Sequence, residues 1–169
     1  MLKIINDLAP FLNDCYRRLN VREYAKLLKI SPPTASKVLE SYFKESILSR
    51  ENFKNYIFYH ANIESRDFID VSRIYWRHEL DGLLEYLERN LANPSIVLFG
   101  SLSKAEAMPE SDIDLAVFSG RKELKISQFE SKLRRRIQII WLDWLGSLKN
   151  VVLAKNIVNG YILKGRIII

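Results

Sequence analysis

The sequence predicts an α+β chain in which a small helical module closing on a hairpin is joined by one long helix to a strand-rich module. Three observations carry this. Residues 2–60 run through short helical apolar patterns separated by turn residues and end in two β-type runs. Residues 65–92 hold a single apolar stripe at three- and four-residue spacing. From Pro94 the pattern changes to buried-type strands, Ser95-Ile96-Val97-Leu98-Phe99 and, after a polar loop, Asp112-Ile113-Asp114-Leu115-Ala116-Val117-Phe118.

Composition bounds the answer. A chain of 169 residues, 48% of them hydrophobic, can bury a core and suits one large domain or two small ones. The formal charge of +6 points to an anionic partner, because a positive surface concentrates nucleic acid, nucleotides or acidic lipids. The charge is segmented: residues 1–60 hold 10 Lys/Arg against 6 Asp/Glu, residues 61–93 hold 4 against 7, and residues 94–169 hold 12 against 7. Two basic ends around an acidic middle suit two anion-handling modules joined by a solvated helix. A single cysteine, Cys15, excludes an internal disulfide framework, and His60 and His78 lie too far from it for a zinc cluster. No 18-residue apolar run and no signal-peptide start is present, so the expectation is a cytoplasmic protein with no membrane partner.

Taken in order, Leu2, Ile5, Leu8, Leu12, Cys15 and Leu19 share one helical face, with Pro10 expected to kink or restart the helix. Asn20 with Glu23 makes a capping box for a second helix carrying Tyr24, Leu27 and Leu28 on its apolar side. Ser31 caps a third helix, and Pro32 fits its first turn, where no amide donor is needed. That helix turns Ala35, Val38, Leu39 and Tyr42 inward and Thr34, Ser36, Lys37 and Ser41 outward. Ile47-Leu48-Ser49-Arg50 and Tyr56-Ile57-Phe58-Tyr59 then read as two short strands around a polar turn at 51–55.

Helix, helix, helix with small polar residues, hairpin is an order that resembles a winged helix-turn-helix DNA-binding domain of the kind common in prokaryotic regulators; the resemblance covers residues 20–62. It implies duplex DNA as a partner. Pro33, Thr34, Ser36 and Lys37, at the exposed start of the third helix, would then face the major groove, with Arg50 and Lys54 on the wing over phosphates. A protein-docking domain with a solvated polar face has the same layout, and the turn lacks the glycine common at such hairpins.

The stripe of the long helix, from Phe68 to Leu91, is too long for one small module, so the helix is expected to bridge two modules or to pair with its copy in a homodimer. The expected division is 1–62, 63–93 and 94–169. Arg73 and His78 within it match the loose spacing of HEPN ribonucleases, but in so arginine-rich a chain the pair reads as a solvated helical face.

The chemistry lies in the last segment. Alternate residues of a strand share a face, so Asp112 and Asp114 point the same way while Ile113 and Leu115 enter the core. Two carboxylates on one face suit Mg2+ or Mn2+, hard cations that take oxygen ligands and keep places for water and phosphate. Gly100 lets the backbone approach a phosphate, and Ser101 adds a hydroxyl beside amides.

Gly-Ser, ten residues, Asp-x-Asp resembles the signature of the DNA polymerase beta nucleotidyltransferase superfamily, and the run ending Pro109-Glu110-Ser111 is most similar to minimal nucleotidyltransferases. The resemblance covers residues 94–169. It implies a mixed sheet with helices on one side, nucleotide phosphates held at Gly100 and Ser101, and metal held by Asp112 and Asp114. The implied reaction moves a nucleoside monophosphate from a nucleoside triphosphate, ATP for preference, onto an acceptor hydroxyl. The acceptor could sit on a HEPN-type protein partner, since minimal nucleotidyltransferases of this look often act as antitoxins. Two departures stand out: Ala105 replaces a usual loop glycine, and Gln138 takes the place of the third family carboxylate. Glutamine accepts no proton at neutral pH and is a poor magnesium ligand, so a regulator with a weak or inactive transferase domain is the alternative. Asp143 is a fallback carboxylate should the strand register differ. The basic cluster Lys132, Arg134, Arg135 and Arg136 either guides nucleotide or acceptor or is a solvated helix end.

Overall fold

The computed structural model describes residues 3–167. Within them the chain forms two compact units, residues 3–75 with Ala105–Pro109, and Trp76–Lys104 with residues 110–167.

In the first unit, α1 (Lys3–Leu12) buries Ile5, Leu8, Phe11 and Leu12. It contains Pro10 without interruption and stops two residues later, rather than running to residue 19. Leu2 lies outside the described residues. Cys15 and Leu19 are buried as their spacing implied, but not from a helix: the Cys15 amide donates to the Ala107 carbonyl at 2.7 Å, and Leu19 bridges to Tyr59. Apolar spacing continued past the helix because a non-helical segment also met the core.

Asn20 caps α2 (Val21–Leu28), its side chain accepting from the Glu23 amide while Glu23 accepts from the Asn20 amide, both bonds about as long as an ordinary amide hydrogen bond at 3.0 and 2.9 Å. Tyr24 and Ala25 are buried, whereas Leu27, expected inward, is exposed. Ser31 caps α3 (Pro32–Lys44), which buries Ala35 and Leu39 and leaves Val38 and Tyr42 half-buried. Asp7 ties the three helices, accepting from Tyr24 at its backbone carbonyl and from Tyr42 at its carboxylate, 2.8 and 2.9 Å.

The hairpin is longer and tighter than the apolar runs suggested. Strands β1 (Leu48–Phe53) and β2 (Tyr56–Ala61) pair from Leu48↔Ala61 to Phe53↔Tyr56, leaving Lys54 and Asn55 as the turn. Lys54 adopts φ 54°, the conformation a glycine would otherwise supply.

The long helix is two. After α4 (Arg66–Glu79), Leu80 at φ −88°, ψ −3° separates it from α5 (Asp81–Asn90), although the hydrogen bonds Leu80 N to Trp76 O and Leu84 N to Leu80 O bracket the break. The boundary between units falls inside α4, not at residues 62 and 93, because Phe68 and Tyr75 are buried in the first unit and Asn13 donates to the Tyr75 hydroxyl.

The second unit adds β3 (Ser95–Phe99), β4 (Ile113–Phe118), α6 (Ser127–Leu133), β5 (Ile137–Leu142), α7 (Val151–Val158) and β6 (Tyr161–Lys164). The sheet order is β5-β4-β3-β6, with β3 antiparallel to β4 and β6, and β4 parallel to β5. This is the mixed sheet the sequence implied. Val97, Phe99, Ala116, Phe118 and Leu142 pack with Ile157 and Leu153 of α7 on one face. Ile96, Leu98, Leu115 and Val117 on the opposite face are equally buried, so that face is covered as well. Among the described residues no helix is long and apolar enough to cross a membrane.

Candidate active site

Strand β3 ends at Phe99, and the chain turns at Gly100 with φ 73°. Phe99 stands opposite Asp114 in β4, and this pairing brings the Asp114 carboxylate over the glycine. A Cβ at Gly100 would lie 2.3 Å from Asp114 Oδ2, far inside van der Waals contact. Glycine is therefore required twice, for its dihedral and for the space. Ser101 opens a short 3-10 helix, Ser101–Lys104, rather than a full helix. The buried Ser103 hydroxyl donates to the Gly100 carbonyl at 2.9 Å and fixes the turn. Ala105 follows, fully buried at φ 58°, which explains why a glycine is usual there.

Asp112 and Asp114 share one face of the chain at the start of β4, while Ile113 and Leu115 are wholly buried on the other. The parallel register sets Asp114 beside Gln138, so the glutamine joins the same face. Its Nε2 donates to Asp112 Oδ2. Burial, and behind it the charge of Asp112, raises the Asp114 carboxyl above its ordinary value. The model for the family described as polymerase beta, nucleotidyltransferase matches residues 82–166, half of the chain.

The chain belongs to the polymerase beta nucleotidyltransferase family.

The matched span begins within α5, earlier than the Pro94 start expected from the strand pattern. Among solved structures the chain is similar to the "Possible transcriptional regulator from Methanosarcina mazei Go1", at 21% identity and a TM-score of 0.34, over 53% of this chain and 78% of that one. No curated protein matches it.

In this family member the donor set fits one hard divalent cation: two half-buried carboxylates on one face. Among the described residues no group of three or more His, Cys, Asp and Glu is placed to hold a metal. Neither the fallback Asp143 nor Glu130 of α6 fills the third place. Asp143 follows the far end of β5, five residues beyond Gln138 and so roughly 16 Å along the strand. It lines a separate cavity of about 640 Å3 with Arg121 and Trp141. Glu130 is engaged by the Ile137 amide at 3.0 Å.

Sequence reasoning missed Arg135. It was grouped with its neighbours as a solvated or guiding cation, yet it is buried, and its Nη1 donates to the Ser111 carbonyl at 2.6 Å. Its guanidinium carbon lies 5.0 Å from the Trp76 ring centroid. The Ile113 amide donates to the Arg136 carbonyl at 2.8 Å. These two bonds hold the residues on either side of Asp112. In a run of three arginines nothing local marks which one turns inward.

The first unit holds the remaining candidates. Pro33, Thr34, Ser36 and Lys37 are exposed at the start of α3, and Lys54 is exposed at the hairpin turn. Arg50 is not free on the hairpin: it is paired with Glu40 at 3.0 Å and lies over the Phe43 ring at 4.2 Å.

Proposed function

We propose that the second unit binds a nucleoside triphosphate with Mg2+ or Mn2+ and transfers its nucleoside monophosphate slowly to an acceptor hydroxyl, while the first unit is a winged helix-turn-helix that holds duplex DNA. The observation that carries the transferase reading is the convergence of Gly100, Asp112, Asp114 and Gln138 on one end of the sheet. Asp112 and Asp114 hold the cation, and the turn at Gly100-Ser101 receives the phosphates. A divalent cation held by Asp112 and Asp114 would supply positive charge to the triphosphate.

In the transfer, the acceptor oxygen bonds to the α-phosphorus as the bond to the bridging oxygen breaks, and pyrophosphate leaves. The hydroxyl proton must go to solvent, because Gln138 offers a neutral amide where a carboxylate would take it. General-base help of that kind contributes typically about 10²–10⁴ in rate, which sets the expected deficit. The same glutamine favours a second reading: a DNA-binding regulator whose transferase unit senses nucleotide without turning it over.

Calorimetry decides the first step. Asp112→Ala with Asp114→Ala should abolish the Mg2+-dependent part of nucleotide binding, and unchanged binding by the double variant would show that the site lies elsewhere. Gln138→Asp should raise label transfer from α-labelled ATP with little change in nucleotide affinity. A parent already turning over briskly, and slowed by that change, would overturn the account of Gln138.

A further inference from the structure

We propose that the carboxylate pair takes one divalent cation per chain with nucleotide bound, the amide of Gln138 holding Asp112 where a second cation would otherwise be shared; this rests on the nucleotide-binding reading above. Sites of the two-metal kind set their ions roughly 3.5–4 Å apart, and such a pair is tolerable only with enough bridging negative charge between them. Here the face offers two carboxylates and a neutral amide. One divalent ion balances the charge of Asp112 and Asp114; a second would rely on the nucleotide alone.

The geometry makes the shortage specific. Asp112 Oδ2 accepts from Gln138 Nε2, so one oxygen of the pair is already bound by a donor. Asp114 Oδ2 lies against the Gly100 Cα, where there is no room for a side chain. The backbone register Asp114↔Gln138 fixes the glutamine opposite the pair, and its neighbours Ile137 and Ile139 point to the other face. Neither Glu130, which holds the Ile137 amide, nor Asp143, which follows the far end of β5, stands in, and among the described residues no group of three or more His, Cys, Asp and Glu is placed to hold a metal.

The retained ion is the one the nucleotide shares, because the phosphates bring their own oxygens to it. The missing one would have faced the acceptor hydroxyl. Gln138 therefore separates two properties usually found together, holding the nucleotide and activating the acceptor.

The test counts manganese. The full chain, with an equimolar α,β-methylene analogue of ATP that cannot be transferred, is titrated with Mn2+, and the ion retained with protein on ultrafiltration is measured by its paramagnetic resonance after acid release. The parent should level at one ion per chain, and Gln138→Asp at two, with exchange coupling between neighbouring ions in the spectrum of the intact complex recorded before acid release. Gln138→Glu is the second variant, and the parent count stands alone should neither variant fold. A parent holding two ions, or folded variants still holding one, overturns the inference while nucleotide retention leaves the functional reading intact. A parent that retains neither ion nor nucleotide overturns both.

Discussion

At residue 100 the backbone and the carboxylate of Asp114 occupy one small volume, and this makes the glycine sensitive to any added side chain. Gly100→Ala would place a side chain at φ 73°, costing roughly 1–2 kcal/mol, and would push Asp114 aside as well. We expect denaturant unfolding to show at least that loss, and Mn2+ affinity to fall about 10–100-fold, as for a displaced ligand-supporting group. Unchanged Mn2+ affinity would mean that Asp114 is not a ligand. Asp114 also sets a pH dependence. Its carboxyl is raised in the folded chain, by burial first and by Asp112 second, so between its unfolded and folded values the folded state binds the extra proton. Without metal, stability should therefore decline as pH rises through the range just above 3.8 and level off once the raised group has ionised. Saturating Mn2+ should reverse that slope, because proton and cation compete for one carboxylate. Thermal melts of the parent and of Asp114→Asn across this range test it; the variant should lose the decline.

At the scale of elements, the starts of β4 and β5 are held by contacts at and just before their first residues: Arg135 to Ser111, Ile113 to Arg136, and, from α6, Glu130 to Ile137. Arg135→Met keeps much of the apolar bulk and removes the buried guanidinium bond, so a loss of roughly 1.5–3 kcal/mol is expected. Because the bond holds the residue beside Asp112, Mn2+ affinity should fall too, with Arg135→Lys restoring stability better than affinity; equal recovery of both would reduce Arg135 to a packing role. Elements like these divide by how local their causes are. The Asn20–Glu23 box and the Ser31 cap need only neighbours three residues apart, and both could be read directly. The shared face of Asp112 and Asp114 was readable for a similar reason, since strand parity suffices, whereas Gln138 was reached only through the family resemblance and its place opposite Asp114 comes from the parallel register. The end of α1, the break at Leu80, the extension of β1 through Glu51 and Asn52, and the burial of Arg135 depend on partners distant in sequence. Periodicity carries no record of those partners.

For the molecule as a whole, the net charge of +6 sets the expected response to salt. If the first unit holds duplex DNA as proposed, binding to a fragment library should weaken steeply with salt, as counterions return to the phosphates. Lys37→Ala should lower that slope by about one unit. Arg50→Ala should instead loosen the first unit, because its guanidinium is committed to Glu40 and Phe43. Undetectable binding at low salt would favour protein docking. Fluorescence anisotropy across a salt series separates these outcomes. The Ala105–Pro109 segment, finally, bears on how this chain can be taken apart. The polypeptide leaves the first unit after Tyr75, returns to it for five residues at Ala105, and leaves again at Glu110. No single cut releases either half whole: a fragment starting at Trp76 keeps Gly100 and Asp112 but carries between them a stretch whose carbonyl at Ala107 has lost the amide of Cys15. The two halves are laced rather than strung, so neither can be lent to another protein by trimming at one seam.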